Sequence, residues 1–304
     1  MNYNYYNVKK PDNKPINKGA VARIIVWSVV LLLLVGVFAC AMMLDGEWSV
    51  YGFSLGGYDY NDANYHRGNG ATRETVKSLS VDWPAGEVII MPSDTDEVVI
   101  TEEFDGDDAL RLRWCVEDGE LKIKYRSPVG FGNISAPSKK LTVAIPASML
   151  ASMEKVELEL VSSNLTIIGM SADDADIVVV SGTVDMNCGF IDSLDVETVS
   201  GNVKFTGTFK EADFDGVSAK IELFLGDGVS RVNVDTVSGD VSVILPETVP
   251  GFEATMDGVS GSVGVHGFDD LTKTRDYCRY GDGSIKISVE AVSGSLKIGK
   301  IVAD

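Results

Sequence analysis

A Val-Ser-Gly corner followed by alternating apolar residues recurs through the second half of the chain, and it limits the folds open to it. It reads TVSGNVKF from Thr198, TVSGDVSV from Thr236, GVSGSVGV from Gly258 and AVSGSLKI from Ala291. Looser copies are VSSNLTI from Val161, VVVSGTVDM from Val178 and GVSAKIEL from Gly216. The corner serines, Ser162, Ser181, Ser200, Ser218, Ser238, Ser260 and Ser293, lie 19, 19, 18, 20, 22 and 33 residues apart. A β-type phrase at a period of about twenty cannot bury its apolar face alone, so successive copies must stack.

The phrase has an internal grammar. Leu194 and Val196 precede one corner, and Val203 and Phe205 follow it with the same phase. Val232, Val234, Val241 and Val243 repeat the pattern, as do Ile285, Ile287, Val289, Leu296 and Ile298. Each copy therefore predicts two short strands meeting at a corner, with one inward face. Glycine at the corner implies positive φ or a close backbone approach. The small serine suits a stack whose hydroxyls hydrogen-bond in a ladder. Alternation starts before the repeats, at Leu79, Val81 and Trp83, at Leu121, Ile123 and Tyr125, and at Leu141, Val143 and Ile145. The fold class expected is all-β: a single-handed stack of ~20-residue rungs, a β-helix or β-solenoid, with no helix after residue 45. Residues 76–301 predict about eleven rungs in chain order and a rod of ~50 Å.

The apolar content, 45% in all, is unevenly placed. Residues 24–44 (IIVWSVVLLLLVGVFACAMML) contain no charge. As a helix they would reach about 31 Å, enough for a bilayer core. A cleaved signal peptide is the alternative, but the run is long for one and lacks a clean A-x-A site. A lipoprotein site at Cys40 would put the large Phe38 where a small residue is usual. A retained transmembrane helix is the better reading. Lys9, Lys10, Lys14, Lys18 and Arg23 against Asp12 alone place the N-terminus in the cytoplasm and the rest outside. The domains read as a cytoplasmic tail (1–23), a transmembrane helix (24–44), a Gly/Asn/Tyr-rich irregular stalk (45–75) and an extracellular β domain (76–304).

Beyond residue 23 there are 26 − 5 = 21 basic and 45 − 1 = 44 acidic residues, a charge of −23. Such a domain repels nucleic acid and anionic lipid headgroups. Three cysteines, Cys115, Cys188 and Cys278, cannot all pair within one chain, and the phase of Cys188 makes it a small buried hydrophobe.

The residues of a reaction centre are missing. The two histidines, His66 and His266, have no nucleophile motif beside them, and Gly258-Val259-Ser260-Gly261 falls one residue short of G-x-S-x-G. Acidic clusters (Asp173, Asp174 and Asp176; Asp269 and Asp270) have turn-like spacing, and the nonapeptide of calcium-binding β-rolls is absent. No catalytic residue, cofactor or metal ligand is assigned. The 33-residue interval holds an insertion, 267–283, carrying Lys273, Arg275 and Arg279. Insertions in solenoids map to loops, often on a binding face, so these three cations are the candidate partner contact.

The VSG phrases, SLSVDWPAGEVIIMPSDTDEVVI from Ser78, LPETVPGFEATMDGVSGSV from Leu245 and GDGSIKISVEAVSGSLKIG from Gly281 together resemble the bacterial putative-adhesin domain family. The resemblance covers residues 76–301 and implies a "toast-rack" β-solenoid, often behind one transmembrane helix. Some members resemble accessory proteins of envelope-stress operons. It implies surface location and binding, and it transfers no catalytic residue. The resulting expectation is a non-enzymatic, single-pass cell-envelope protein. Its partner would be an envelope or surface component, or a membrane stress-signalling protein. The competing classes are an extracellular carbohydrate-active enzyme on a β-helix and a structural spacer.

Overall fold

The computed structural model describes residues 48–50, 53–55, 64–125 and 137–300. The expected transmembrane helix, residues 24–44, lies outside the described residues. Among the described residues no helix is long and apolar enough to cross a membrane. Strands β1 (Trp48–Val50) and β2 (Phe53–Leu55) form a separate antiparallel pair. All other strands join one sheet. They are β3 (His66–Arg67), β4 (Gly70–Thr72), β5 (Ser78–Ser93), β6 (Val98–Glu103), β7 (Arg113–Glu117), β8 (Glu120–Lys124), β9 (Lys139–Pro146), β10 (Met153–Ile168) and β11 (Ala172–Leu225). After them come β12 (Arg231–Leu245), β13 (Gly251–Ser260), β14 (Val263–Val265), β15 (Thr272–Lys273), β16 (Tyr277–Gly281) and β17 (Ile285–Lys300). One helical turn, α1 (Ala147–Leu150), precedes β10.

The long strands stack in parallel with corner on corner. Ser162 pairs with Ser181, Ser218 with Ser238, Ser238 with Ser293, and Ser293 with Ser260. The first rung, β5, places Ala85 opposite Ser162. β11 alone contains three corners, Ser181, Ser200 and Ser218. Before each corner a first arm, and after it a second arm, send alternate side chains into one shared core. In β10 these are Val156, Leu158 and Leu160, then Leu165 and Ile167, all at most 1% exposed. Period-2 patterning with one buried face produces this arrangement, as the phrase predicted.

The corner glycines are required by crowding. A Cβ on Gly182 would lie 2.1 Å from the Ser163 carbonyl oxygen, on Gly201 2.0 Å from that of Gly182, and on Gly239 1.9 Å from that of Ala219. No side chain fits between rungs there. Positive φ is not the common cause: Gly182 and Gly294 have it, whereas Gly201 and Gly239 do not. The serine ladder does not form either. The corner serines are exposed, and no hydrogen bond joins one corner hydroxyl to the next. Cross-rung bonds instead use the position two residues past the corner. There Asn164 Oδ1 accepts from the Thr183 amide and hydroxyl, and Asp240 Oδ1 accepts from both groups of Ser295.

Two expectations about the rod need correction. Eight corners stack, not eleven: Ala85 and the seven serines. Seven spacings of ~4.8 Å give a corner stack of ~34 Å, and further strands extend the sheet beyond it at both ends. The chain between β5 and β10 is spent on antiparallel hairpins instead. Along the first arm β8 continues the sheet beyond β5, followed by β7 and β3. Along the second arm β9, β6 and β4 do the same. Residues 66–72, read from sequence as irregular stalk, thus close this end of the sheet. The seam between the two hairpin systems holds a buried ion pair. Lys139 Nζ lies 3.0 Å from Glu102 Oε1 and 4.0 Å from the Tyr125 ring centre, and both charged side chains are fully buried.

The second correction is order. The stack does not follow the chain: β17, the last strand, lies between β12 and β13. The insertion exists because the chain must double back. β13 takes the outer place, β16 covers its free edge antiparallel, β15 covers β16, and the chain then returns to the gap left beside β12. Short antiparallel covers protect edges that would otherwise template another chain.

Candidate binding face

The outward positions of the first arm line up across the rungs. Three residues before each corner stand Asp82, Glu159, Val178, Glu197, Asp215, Asp235, Glu290 and Asp257, so seven of eight positions are carboxylates. The strand registers make Asp82–Glu159, Asp215–Asp235, Asp235–Glu290 and Glu290–Asp257 neighbours. Two residues further back run Ser80, Glu157, Asp176, Asp195, Asp213, Asn233, Ser288 and Thr255. Along a parallel stack such positions are ~4.8 Å apart, too close for full charges to ignore one another.

Crowding shows in the acidities. Burial between neighbouring side chains, reinforced by adjacent carboxylates, pushes Glu159 up to about 7, Asp195 to about 6 and Asp215 to about 7. The same causes raise Asp176, Glu197 and Asp235. Asp195 Oδ1 is buried with no hydrogen-bond partner. Relief is local: Asn233 Nδ2 donates to Asp213 Oδ1 at 2.7 Å, and Lys124 pairs with Asp82 at the hairpin end. Lys155 partly offsets Asp176, and the middle of the face, from Asp195 to Asp235, is an uncompensated acidic strip.

Where β7 and β8 meet this face there is an open cleft of about 400 Å³. Glu117, Glu120, Lys122, Lys155 and Glu157 line it and pair among themselves, with Lys122 2.9 Å from Glu117 and 3.4 Å from Glu120. It lacks the apolar lining of a small-molecule site. Among the described residues no group of three His, Cys, Asp or Glu side chains is arranged to hold a metal ion. His66 stacks on Trp114 at 4.5 Å in the hairpin cap, while His266 follows β14 at the other end. Cys115, Cys188 and Cys278 are buried thiols, and burial raises that of Cys188 to about 12.

Lys273, Arg275 and Arg279 sit together on the edge cover, all exposed. Arg275 Nε donates to the Gly261 carbonyl at 3.2 Å. Arg279 donates to the Asp282 carbonyl at 2.9 Å and lies 4.0 Å from Glu253, which Lys286 also holds at 2.6 Å. Two of the three cations thus tie the cover to the stack. Sequence reasoning missed the acidic face, because its members are about twenty residues apart. The signal was present in the repeat: aligning the phrases by their serines puts an acid three residues before almost every corner.

A family model described as Toastrack DUF4097 matches residues 76–299. The chain belongs to this family. Similar solved structures include a protein named a putative adhesin from Bacteroides fragilis NCTC 9343 (16% identity, 79% of this chain and 98% of that one, TM-score 0.47). Another, from Clostridium sporogenes ATCC 15579, is named a putative cell adhesion protein (13% identity, 78% and 100%, TM-score 0.30). A third, from Parabacteroides distasonis ATCC 8503, is named a putative lipid binding protein (17% identity, 79% and 98%, TM-score 0.39). No curated protein matches the chain in sequence. The family match, residues 76–299, takes in the stack, the edge cover and the hairpin cap apart from β3 and β4.

Proposed function

We propose that this Toastrack chain is a non-enzymatic cell-envelope protein whose rod binds a surface partner, in adhesion or in sensing envelope stress. Residues 24–44 anchor it as a single span, with the N-terminus cytoplasmic and the rod outside. The observation that carries the binding reading is the acidic strip. Carboxylates stacked on one outward sheet face hold their charges against burial and mutual repulsion, which raise Glu159 and Asp215 to about 7, and a cationic partner favours the charged forms. The partner class is a basic segment of an envelope component or of a membrane stress-signalling protein. Lys273, Arg275 and Arg279 are the second contact, suited to an acidic group of the same partner.

Two measurements test this. Protease added to intact cells should remove a C-terminal tag and spare an N-terminal one; the reverse pattern rejects the topology. The full-length chain should bind isolated envelopes saturably and less in high salt. The variant Glu197→Gln/Asp215→Asn/Asp235→Asn should lose that binding while keeping its β circular-dichroism spectrum. Unchanged binding rejects the strip. Loss on replacing Lys273, Arg275 and Arg279 with Ala, at unchanged melting, moves the contact to the edge cover. Turnover of glycans, peptides or esters by the wild-type chain overturns the non-enzymatic reading.

A further inference from the structure

The last strand of the domain is an interior strand. β17 pairs with β12 from Arg231–Lys286 to Leu245–Lys300. On its other side it pairs with β13 from Phe252–Ile285 to Ser260–Ser293, and with β14 at Val263–Leu296 to Val265–Ile298. Its inward residues Ile285, Ile287, Val289, Leu296 and Ile298 are at most 6% exposed. Without β17 the slot would show two unpaired strand edges and open the core between them, so an empty slot must be refilled.

The route into the slot is short and cramped. β16 lies antiparallel on one side of β13 and β17 parallel on the other, so residues 282–284 carry the chain around the start of β13. Gly281 and Gly283 adopt φ of 55° and 72°. A Cβ on Gly281 would stand 2.0 Å from the Pro250 carbonyl oxygen, and one on Gly251 2.4 Å from the Asp282 nitrogen. Only glycine makes a turn this short, and a hinge this short, once opened, sends the following strand away from its own domain.

We propose that β17 is an exchangeable strand, which leaves its own slot and fills the slot between β12 and β13 of a second copy. The slot selects that occupant. Lys286 meets Glu253 at 2.6 Å and Ser295 meets Asp240 at 2.6 Å, and both pairs flank five apolar side chains at fixed offsets. A second copy offers the same groups in the same register, so exchange conserves every slot contact and changes only the hinge. The product is a dimer joined at the ends of the stacks opposite the hairpin cap.

Ser238 and Ser293 are exposed register partners, so a cysteine at each reports which chain fills the slot. Two full-length copies, one Ser238→Cys with one tag and the other Ser293→Cys with a second tag, are co-expressed and oxidised. The expected result is a disulfide-linked dimer carrying both tags, absent when either variant is expressed alone. Gly283→Val in both copies disfavours the tight turn and should raise the mixed dimer by about threefold or more. If that hinge variant fails to fold, the pair with the native hinge decides. Absence of the mixed dimer, while Ser238→Cys/Ser293→Cys in a single chain closes internally, overturns the proposal.

Discussion

Replacing Asp215 with Asn should stabilise the rod, by an amount that is nil below the pKa of the unfolded chain and full above that of the folded one. Asp215 is held near 7, against 3.8 for the free group, first by burial and then by Asp235, Asp195 and Glu197. That interval of about three pH units, at ~1.36 kcal/mol each, sets a ceiling near ~4 kcal/mol. Asp215 is partly exposed, and the strip shares its protons, so screening reduces this to ~1–2 kcal/mol. Coulomb's law agrees: two charges ~4.8 Å apart repel by ~1 kcal/mol in water and ~3.5 kcal/mol at an effective dielectric of 20. Because the folded-state pKa is raised, the native protein binds more protons than the unfolded chain between about pH 4 and 7. Stability therefore falls as pH rises through that window, and the full penalty applies above it. Asn removes the charge and keeps the shape, and Asn233 beside Asp213 shows that an amide fits this face. Urea melts of wild type and Asp215→Asn at about pH 3, below the unfolded pKa, and at about pH 8, above the folded one, measure the difference. We expect a gain of ~1–2 kcal/mol at about pH 8 that shrinks to about zero at about pH 3. An equal effect at both pH values, or a loss at the higher one, would refute the buried, crowded charge as the cause.

Gly239→Ala puts a methyl carbon 1.9 Å from a carbonyl of the next rung and should cost ~2–4 kcal/mol by forcing adjacent ladder bonds apart, measured by thermal melting. Gly216→Ala meets nothing closer than the Ala219 side chain, at 3.3 Å, and should cost under ~1 kcal/mol; equal losses would remove close approach as the reason for corner glycine. Glu102→Ala strands Lys139 in the seam and should cost ~3–5 kcal/mol, while Glu102→Leu/Lys139→Met should cost less than the single change; chemical denaturation of the three proteins decides this. Raising salt from 0.05 to 0.5 M at pH 8 should raise the melting temperature of wild type more than that of Glu197→Gln/Asp215→Asn/Asp235→Asn, and parallel responses would show that the strip carries no strain.

The repeat made the architecture legible because a stacked fold writes each rung separately. Every inward residue predicted around Ser200, Ser238 and Ser293 is buried, since alternation and burial are both local. The rung count failed because period-2 strands look alike whether their partners are parallel or antiparallel. Leu121, Ile123 and Tyr125 are buried as expected, yet they lie on and just after a strand that pairs with β7 in a hairpin. Order failed for a related reason. Val232–Ile287 and Phe252–Ile285 are pairings between positions of one generic pattern, and nothing in the phrase AVSGSLKI says which two rungs flank it. The only hint was the 33-residue interval, which gives chain enough to pass around β13 and return.

The acidic strip and the edge cover divide the charge of the domain in a way the net value of −23 conceals. Read along the chain, the insertion was the exception, three cations among acids. In space, Arg275 and Arg279 are spent on backbone carbonyls and on Glu253, which leaves the cover far less positive than its sequence. The acids behave oppositely. Scattered along the chain they resemble ordinary solubilising charge, but stacking brings Glu197, Asp215 and Asp235 into one column where burial and repulsion raise all three. A solvated face serving solubility alone gains nothing from that arrangement, because carboxylates dispersed over both arms would give the same net charge without the penalty. On the second arm the outward positions do disperse: Asp185, Lys204 and Glu222 alternate in sign, and Lys204 lies 3.7 Å from Asp185. The same rungs thus neutralise one face and leave the other charged, and that contrast within one repeat is the physical argument for placing the contact on the first arm.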